Sequence, residues 1–211
     1  MSIQICPFCL IRHDFGWPPH CFKFDEDIPI AYFQKYDEIP PIWLLTVGFK
    51  EAGKTYYIGA LFNQIQNMST LWHGATYQPL DEYSRLELQN AADFSRNIKQ
   101  GPTTTKDLPI PRPILIHTLG IPEFNSNCLV IFDIAGEKFQ DFSKVEDKGY
   151  LGSLNAVKNL WFFVDIDEAF NINRPSKKIN DLLHIYIDEM TNLGWSLDRR
   201  NIIVVYTKAD L

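Results

Sequence analysis

The chain has 211 residues, of which 45% are hydrophobic, and its formal net charge is −6. That length and apolar content suffice for one well-packed domain and leave little room for a second. The acidic balance argues against a nucleic-acid backbone as the main partner, because no basic face is supplied to meet the phosphates. The longest apolar stretches have the length of strands, so no membrane span is predicted. The N-terminus lacks the basic start and apolar core of a signal peptide, and we therefore predict a cytoplasmic protein.

The first thirty residues hold three of the four cysteines. Cys6 and Cys9 have the spacing of a zinc knuckle, in which a short turn offers backbone N–H groups to two thiolates. Cys21 is the natural third ligand, and the sequence leaves the fourth open between His20 and His13. A segment this short has too little apolar area to fold alone, so we predict a structural Zn²⁺ that stabilises it. The alternatives are free thiols and a redox pair, and no thioredoxin-like strand precedes CPFC to favour the redox pair.

From Ile42 onward, apolar runs of strand length alternate with segments of helical periodicity. The predicted strands are Ile42–Val47, Ile114–Leu119, Cys128–Phe132, Leu160–Val164 and Asn201–Tyr206, and the predicted helices are Lys54–Gln66, Leu80–Ile98 and Ile179–Leu193. Strands separated by helices predict βαβ units and a mostly parallel sheet, which is an α/β fold. The link between the second and third strands is too short for a crossover helix, so these two are predicted to form an antiparallel hairpin.

The stretch GFKEAGKT, from Gly48 to Thr55, stands between the first predicted strand and the first predicted helix. In that context GxxxxGK[ST] indicates phosphate binding, because the glycines let successive N–H groups point inward at a positive helix N-terminus. Lys54 would reach the β- and γ-phosphates, and Thr55 would place its hydroxyl on Mg²⁺. The other residues of this loop predicted to line the nucleotide are Gly48, Glu51, Ala52, Gly53 and Tyr56.

Two further motifs follow predicted strands. LVIFDIAGE ends an apolar run with Asp133, whose carboxylate could hold Mg²⁺, and the N–H of Gly136 could approach a γ-phosphate. TKAD, which begins at Thr207, resembles the guanine-reading motif NKxD with threonine in place of asparagine. Lys208 would lie along the base, and Asp210 would accept hydrogen bonds from the two N–H donors that guanine has and adenine lacks. DxxG and TKAD are each weak alone, whereas the three motifs in this order, each at a strand end, jointly favour a guanine nucleotide.

From about Ala31 to Leu211 the chain resembles the P-loop small GTPase superfamily, on the motifs GFKEAGKT, DIAG and TKAD. The resemblance implies a three-layer P-loop sandwich that binds GTP or GDP with Mg²⁺, hydrolyses GTP slowly and acts on a protein effector or activating partner. It also implies a threonine of the first switch loop that reaches Mg²⁺, for which Thr104 and Thr105 are equal candidates. Glu137 stands where Ras-like enzymes carry the glutamine that positions water, so Glu137 and Lys54 are the catalytic candidates.

The family's core continues beyond NKxD with further helices and a strand, whereas this sequence ends one residue after Asp210. We therefore predict two regions: a Cys-rich zinc-binding segment over residues 1–30 and a GTPase domain over residues 31–211 that is truncated after the strand preceding TKAD. Ile202 and Val204 of that strand are expected to be poorly buried on one side.

The N-terminal CPxC, the long polar insert before GPTTT and the sequence DxAGE are similar to the bacterial double-GTPase group of predicted conflict systems. The alternative to a slow GTPase is a P-loop adaptor that uses nucleotide, or nothing, to hold its shape. A third possibility, an ATP-using P-loop enzyme, is disfavoured by TKAD.

Overall fold

A computed structural model describes residues 3–14, 16–48, 52–96, 112–123, 125–133, 157–166, 184, 187–188, 191–192 and 200–207. In chain order its strands and helices are β1 (Gln4–Ile5), β2 (Arg12–His13), β3 (His20–Cys21), β4 (Glu26–Asp27), α1 (Ile30–Gln34), β5 (Pro41–Gly48), α2 (Lys54–Gln66), α3 (Met68–Leu71), β6 (Thr76–Pro79), α4 (Glu82–Arg96), β7 (Ile114–Leu119), β8 (Asn127–Asp133), β9 (Asn159–Asp165) and β10 (Asn201–Thr207). All five predicted strands and two of the predicted helices are present with bounds within two residues of the prediction. The predicted helix over Ile179–Leu193 lies mostly outside the described residues.

Six of the strands form one sheet in the order β10-β9-β5-β8-β7-β6. β10 runs parallel to β9 from the pair Asn201↔Asn159 to Thr207↔Asp165, and β9 runs parallel to β5. β7 is antiparallel to both β8 and β6. The prediction of an α/β fold with a mostly parallel sheet and an antiparallel hairpin in it is confirmed. Strand β6 was not predicted, because its four residues include Pro79 and are too few and too polar to show a strand period.

The chain packs into two compact units: Met1–Trp43, Ile58–Thr103 and Arg112–Phe132 form one, and Leu44–Tyr57, Thr104–Pro111 and Asp133–Leu211 form the other. In the first unit, Tyr32, Leu115, Ile116, His117, Ile131 and Phe132 are among the largest side chains that are fully buried. Helix α4 begins in this unit where the carboxylate of Asp81 accepts a 2.7 Å hydrogen bond from the backbone N–H of Ser84. The Ser84 hydroxyl in turn accepts a 2.8 Å bond from the N–H of Leu115, which fixes the helix to β7.

The second unit is built around apolar residues of β5 and β9. Leu45, Val47 and Phe163 are buried, and the ring of Tyr57 on α2 packs edge-on against Phe163 with centroids 5.1 Å apart. Strand β10 is different, because Ile202 and Val204 keep 48% and 47% of their surface exposed. The expectation that these two residues are poorly buried is therefore confirmed. Among the described residues, no helix has both the length and the apolarity needed to cross a bilayer.

Candidate nucleotide site and cysteine cluster

The strand-to-helix connection that carries the phosphate-binding pattern depends on two glycines. At Gly48, the last residue of β5, an added Cβ would lie 2.9 Å from the Cβ of Phe163 on the neighbouring strand. At Gly53, just before α2, the backbone has φ +72°, a left-handed conformation that favours glycine. Both glycines of the motif therefore have a local reason to be glycine. Glu51, between them, lies outside the described residues.

Lys54 opens helix α2 and meets the end of β8. Its Nζ lies 3.0 Å from Oδ1 of Asp133, and the two side chains are only 6% and 16% exposed. The hydroxyl of Thr46 on β5 donates a 3.0 Å hydrogen bond to the same carboxylate oxygen. The structure thus brings together a lysine and an aspartate from two different predicted motifs. A buried ion pair adds little net stability, because desolvation offsets much of the attraction. The contact between Lys54 and Asp133 is therefore better explained as fixing the positions of two charged side chains.

Thr207, the first residue of TKAD, is tied to the phosphate-binding loop. Its hydroxyl donates a 2.5 Å hydrogen bond to the carbonyl of Ala52 and lies 3.2 Å from the carbonyl of Val164. The Thr207 side chain would also stand 3.1 Å from a Cβ placed at Gly53. The end of β10 and the start of α2 are therefore held at a fixed separation by a threonine that the sequence marked only as a departure from NKxD.

Sequence reasoning missed two polar residues of this edge. Thr46 is fully buried and holds Asp133, although a threonine inside an apolar strand is usually a packing residue. Asp165 ends β9 and is 7% exposed, opposite Thr207 in the sheet register. The signal for Asp165 was present, because it ends an apolar strand with a carboxylate just as Asp133 does.

The remaining predicted nucleotide residues divide into two groups. Thr55 and Tyr56 are placed in the first turn of α2, where Tyr56 is 49% exposed. The others, Thr104, Thr105, Gly136, Glu137, Lys208 and Asp210, lie outside the described residues. Their roles stay predictions.

The cysteine-rich start places three sulfur atoms together. The Sγ atoms of Cys6, Cys9 and Cys21 all lie within 4.8 Å of one another, and the three residues are fully buried. The histidines differ: Nε2 of His13 lies 2.9 Å from Sγ of Cys9, whereas His20 places Nδ1 2.9 Å from Asp27 and Nε2 3.3 Å from Asp25. Three soft ligands in a buried cluster suit Zn²⁺.

Hydrogen bonding shifts the pKa values of two cysteines in the cluster in opposite directions. The bond shared between Cys6 and Cys9 lowers the pKa of Cys9 to about 5, and the contact with His13 lowers it further. The same shared bond, together with burial, raises the pKa of Cys6. Of the three thiols in the cluster, Cys9 is the one whose pKa is lowered, which favours the thiolate, the form that binds metal. Cys128, in contrast, lies in the apolar core of β8, where burial raises the pKa of its thiol to about 12.

A glycine-containing loop joins β5 to α2 and places a buried lysine beside a carboxylate at the end of another strand, an arrangement typical of P-loop nucleotide-binding proteins. The family model for Double-GTPase 2 matches residues 44–211, and the chain belongs to this family. The match confirms the resemblance to the double-GTPase group, and it supports a GTP-binding P-loop domain. No curated protein is significantly similar to the chain.

Proposed function

We propose that this protein is a guanine-nucleotide-binding switch that hydrolyses GTP slowly with Mg²⁺ and acts through a protein partner. The observation that carries the proposal is the buried Lys54 ammonium at the start of α2, held 3.0 Å from Asp133 in a chain of the Double-GTPase 2 family. Its charge stands at the carboxyl ends of β5 and β8, the edge of an α/β sheet where ligands bind.

The phosphate end of the site fits a nucleotide. Gly53 adopts φ +72° directly before Lys54, so the backbone turns into the helix without a side chain that would fill the loop. The N-terminus of α2 is the positive end of the helix dipole and therefore favours an anion. Lys54 is already held at this edge, so it can neutralise phosphate oxygens without a large side-chain movement.

The residues present also fit Mg²⁺. Thr55 and Asp133 supply a hydroxyl and a carboxylate, the hard oxygen ligands that this ion prefers. When bound, Mg²⁺ would neutralise charge on the phosphates. Thr46 orients Asp133 through its hydroxyl, so the carboxylate keeps its position when the contact with Lys54 changes.

Guanine selection is assigned to Lys208 and Asp210, with Thr207 holding the start of their segment to Ala52. A buried carboxylate left unpaired by adenine can discriminate by as much as ~10⁴-fold. For hydrolysis, Gly136 and Glu137 would face the γ-phosphate and the attacking water, and Thr104 or Thr105 would close the site. Intrinsic rates in such enzymes are on the order of 10⁻⁴–10⁻² s⁻¹, and we expect this range.

A non-hydrolysing adaptor is the second candidate. One observation favours it: Lys54, Asp133 and Thr46 satisfy one another, and Thr207 bonds Ala52, so the edge is held without a nucleotide. Nucleotide released from the denatured purified protein, measured beside phosphate release from added GTP, separates the candidates. Bound GDP or GTP with slow phosphate release supports the switch, bound GTP without release supports the adaptor, and bound adenine nucleotide contradicts guanine selection.

We also propose that Cys6, Cys9 and Cys21 hold a structural Zn²⁺. The three buried sulfurs within 4.8 Å of one another support this, because they can close on one ion by small movements. The role is stabilising, since a site closed by a fourth protein ligand, His20 or His13, offers no open position for substrate.

A further inference from the structure

Resting on the proposed zinc, we propose that His13 is the fourth ligand and that the metal cross-links two hairpins. The site would then be Cys6, Cys9, His13 and Cys21. His20 would stand outside it.

The first hairpin is shaped as one half of a metal site. β1 and β2 pair through Gln4↔His13 and Ile5↔Arg12. Because side chains alternate along a strand, Cys6, two residues after Gln4, lies on the same face of the hairpin as His13. The N–H of Cys6 donates to the carbonyl of Ile11 at 2.9 Å and closes the turn. Backbone N–H groups of Phe8 and Cys9 point at the sulfur of Cys6, as in a zinc knuckle.

The second hairpin repeats this arrangement with one ligand fewer. β3 and β4 pair through Cys21↔Glu26, and backbone N–H groups of Lys23 and Phe24 point at the sulfur of Cys21. Phe24 occupies the place, three residues after Cys21, where a full second CxxC would carry a cysteine. The second turn has knuckle geometry but only one sulfur, so the fourth ligand must come from elsewhere.

The contacts of the two histidines differ, and they favour His13 as the fourth ligand. Both ring nitrogens of His20 are engaged by carboxylates, at 2.9 Å from Asp27 and 3.3 Å from Asp25. Nε2 of His13 already touches Cys9 at 2.9 Å, and the residue is only partly exposed. Among the described residues, the group within mutual ligand distance contains the three cysteines alone, so His13 must swing inward to complete it. Zn–S and Zn–N bonds of about 2.3 Å and 2.0 Å place S and N about 3.5 Å apart, so the contact with Cys9 would lengthen slightly.

The metal would connect segments that are otherwise anchored separately. The carbonyl of Ile5, beside Cys6, accepts a 2.7 Å hydrogen bond from the hydroxyl of Tyr32 on α1. Glu26, opposite Cys21 in the second hairpin, pairs with Arg112 at 2.8 Å just before β7. The strands of each hairpin have only two residues and are too short to be stable alone, so a shared ion would fix the two hairpins to each other.

The test uses the full chain with Zn²⁺ as the probe. Zinc per chain is measured by elemental analysis, and affinity by competition with a chromophoric chelator, for the unmodified protein, His13→Ala and the matched control His20→Ala. We expect one zinc per chain, a loss for His13→Ala larger than the ~10–100-fold typical of groups outside the ligand set, and little change for His20→Ala. Equal or greater loss in His20→Ala, or none in His13→Ala, overturns the inference. If the unmodified protein contains no metal, the zinc proposal itself is contradicted, whereas the proposal that the protein binds GTP is not affected.

If His13→Ala does not fold, His13→Cys replaces the imidazole by a fourth thiolate. Cobalt-substituted protein then reports the ligand set, because each thiolate adds sulfur-to-cobalt charge-transfer absorption. More intense absorption in His13→Cys than in the unmodified protein supports a bound His13, and an unchanged spectrum contradicts it.

Discussion

The nucleotide edge, where Lys54, Asp133 and Thr46 meet, and the cysteine cluster both contain buried polar groups, but they hold these groups in opposite ways. At the nucleotide edge, protein groups compensate one another: Lys54 meets Asp133, and Thr46 supports the carboxylate. In the cysteine cluster, three buried sulfurs face each other with one histidine beside them, and the strands of the surrounding hairpins are only two residues long. We expect a site of the first kind to be stable before its ligand binds, and a site of the second kind to need its ligand in order to fold.

The largest expected effect tests this contrast at the cysteines. Cys21→Ser should abolish stoichiometric zinc and unfold the two hairpins, because structural zinc contributes on the order of 10 kcal/mol in small metal-dependent folds. Cys128→Ser is the matched control, since that thiol is equally buried but lies in β8. Zinc content and amide hydrogen exchange over residues 3–28 are the measurements. If the amides of residues 3–28 stay protected from exchange in Cys21→Ser, the hairpins do not need the metal to fold, and the two sites do not differ in this respect.

The second effect tests whether the nucleotide edge is self-compensated. Asp133→Asn removes the carboxylate beside a nearly buried ammonium, which should cost about 3 kcal/mol of unfolding free energy without nucleotide. Adding Lys54→Met to Asp133→Asn should restore part of the lost unfolding free energy, because the double variant no longer has an uncompensated charge. Denaturant unfolding of the two single variants and the double variant gives the coupling. Asp188→Asn, at an exposed site, is the control, and additive single effects would argue against a coupled pair.

A smaller effect concerns the loop before α2. Gly53 and Gly74 both have positive φ, but only at Gly53 would a Cβ meet a neighbour, Thr207 at 3.1 Å. Alanine at either position pays the left-handed strain of roughly 1–2 kcal/mol, and Gly53→Ala should lose about 1 kcal/mol more. Denaturant midpoints compare the two variants. Equal losses would show that the contact between Thr207 and the loop is loose.

The smallest expected effect concerns the pH dependence of stability and a buried histidine, His117, that belongs to neither site. His117 on β7 is 1% exposed, and within the described part of the chain neither ring nitrogen has a hydrogen-bond partner. Burial, with the nearby charge of Lys35, lowers the pKa of His117 below its usual 6.5. As pH falls through 6.5, the unfolded chain takes up a proton that the folded chain resists, so stability declines.

His117→Leu should reduce that decline and remove an unsatisfied buried group worth about 1–3 kcal/mol. Urea unfolding at pH 7.5 and 5.5 measures both effects, with the exposed His73→Leu as control. The same slope with pH in all three proteins would show that His117 does not govern the acid response.

The strands of the sheet were predictable because β5, β7, β8 and β9 are continuous apolar runs, and α2 because its apolar residues keep a helical period. The partners within the site were not predictable to the same degree. Nothing local says that Thr207 bonds Ala52, because the two residues are 155 positions apart and meet only through the sheet order.

The histidines show the same limit. The sequence leaves both His13 and His20 open as ligands, and the contacts of His20 with Asp25 and Asp27 of the β3–β4 hairpin distinguish the two. A histidine beside Cys21 looks like a ligand in the sequence, while its ring turns to the carboxylates in the structure.

Guanine-nucleotide affinity measured in the presence of Mg²⁺ tests the central claim most directly. A fluorescent GTP analogue is titrated into the unmodified chain, into Lys54→Ala and into Lys158→Ala, an exposed lysine of the same unit. We expect saturable binding that GTP, but not ATP, competes away. We also expect a loss of affinity of roughly 10²-fold or more in Lys54→Ala and none in Lys158→Ala, because Lys54 meets phosphate charge in a water-poor site. Unchanged affinity in Lys54→Ala, or equal competition by ATP and GTP, would contradict the claim.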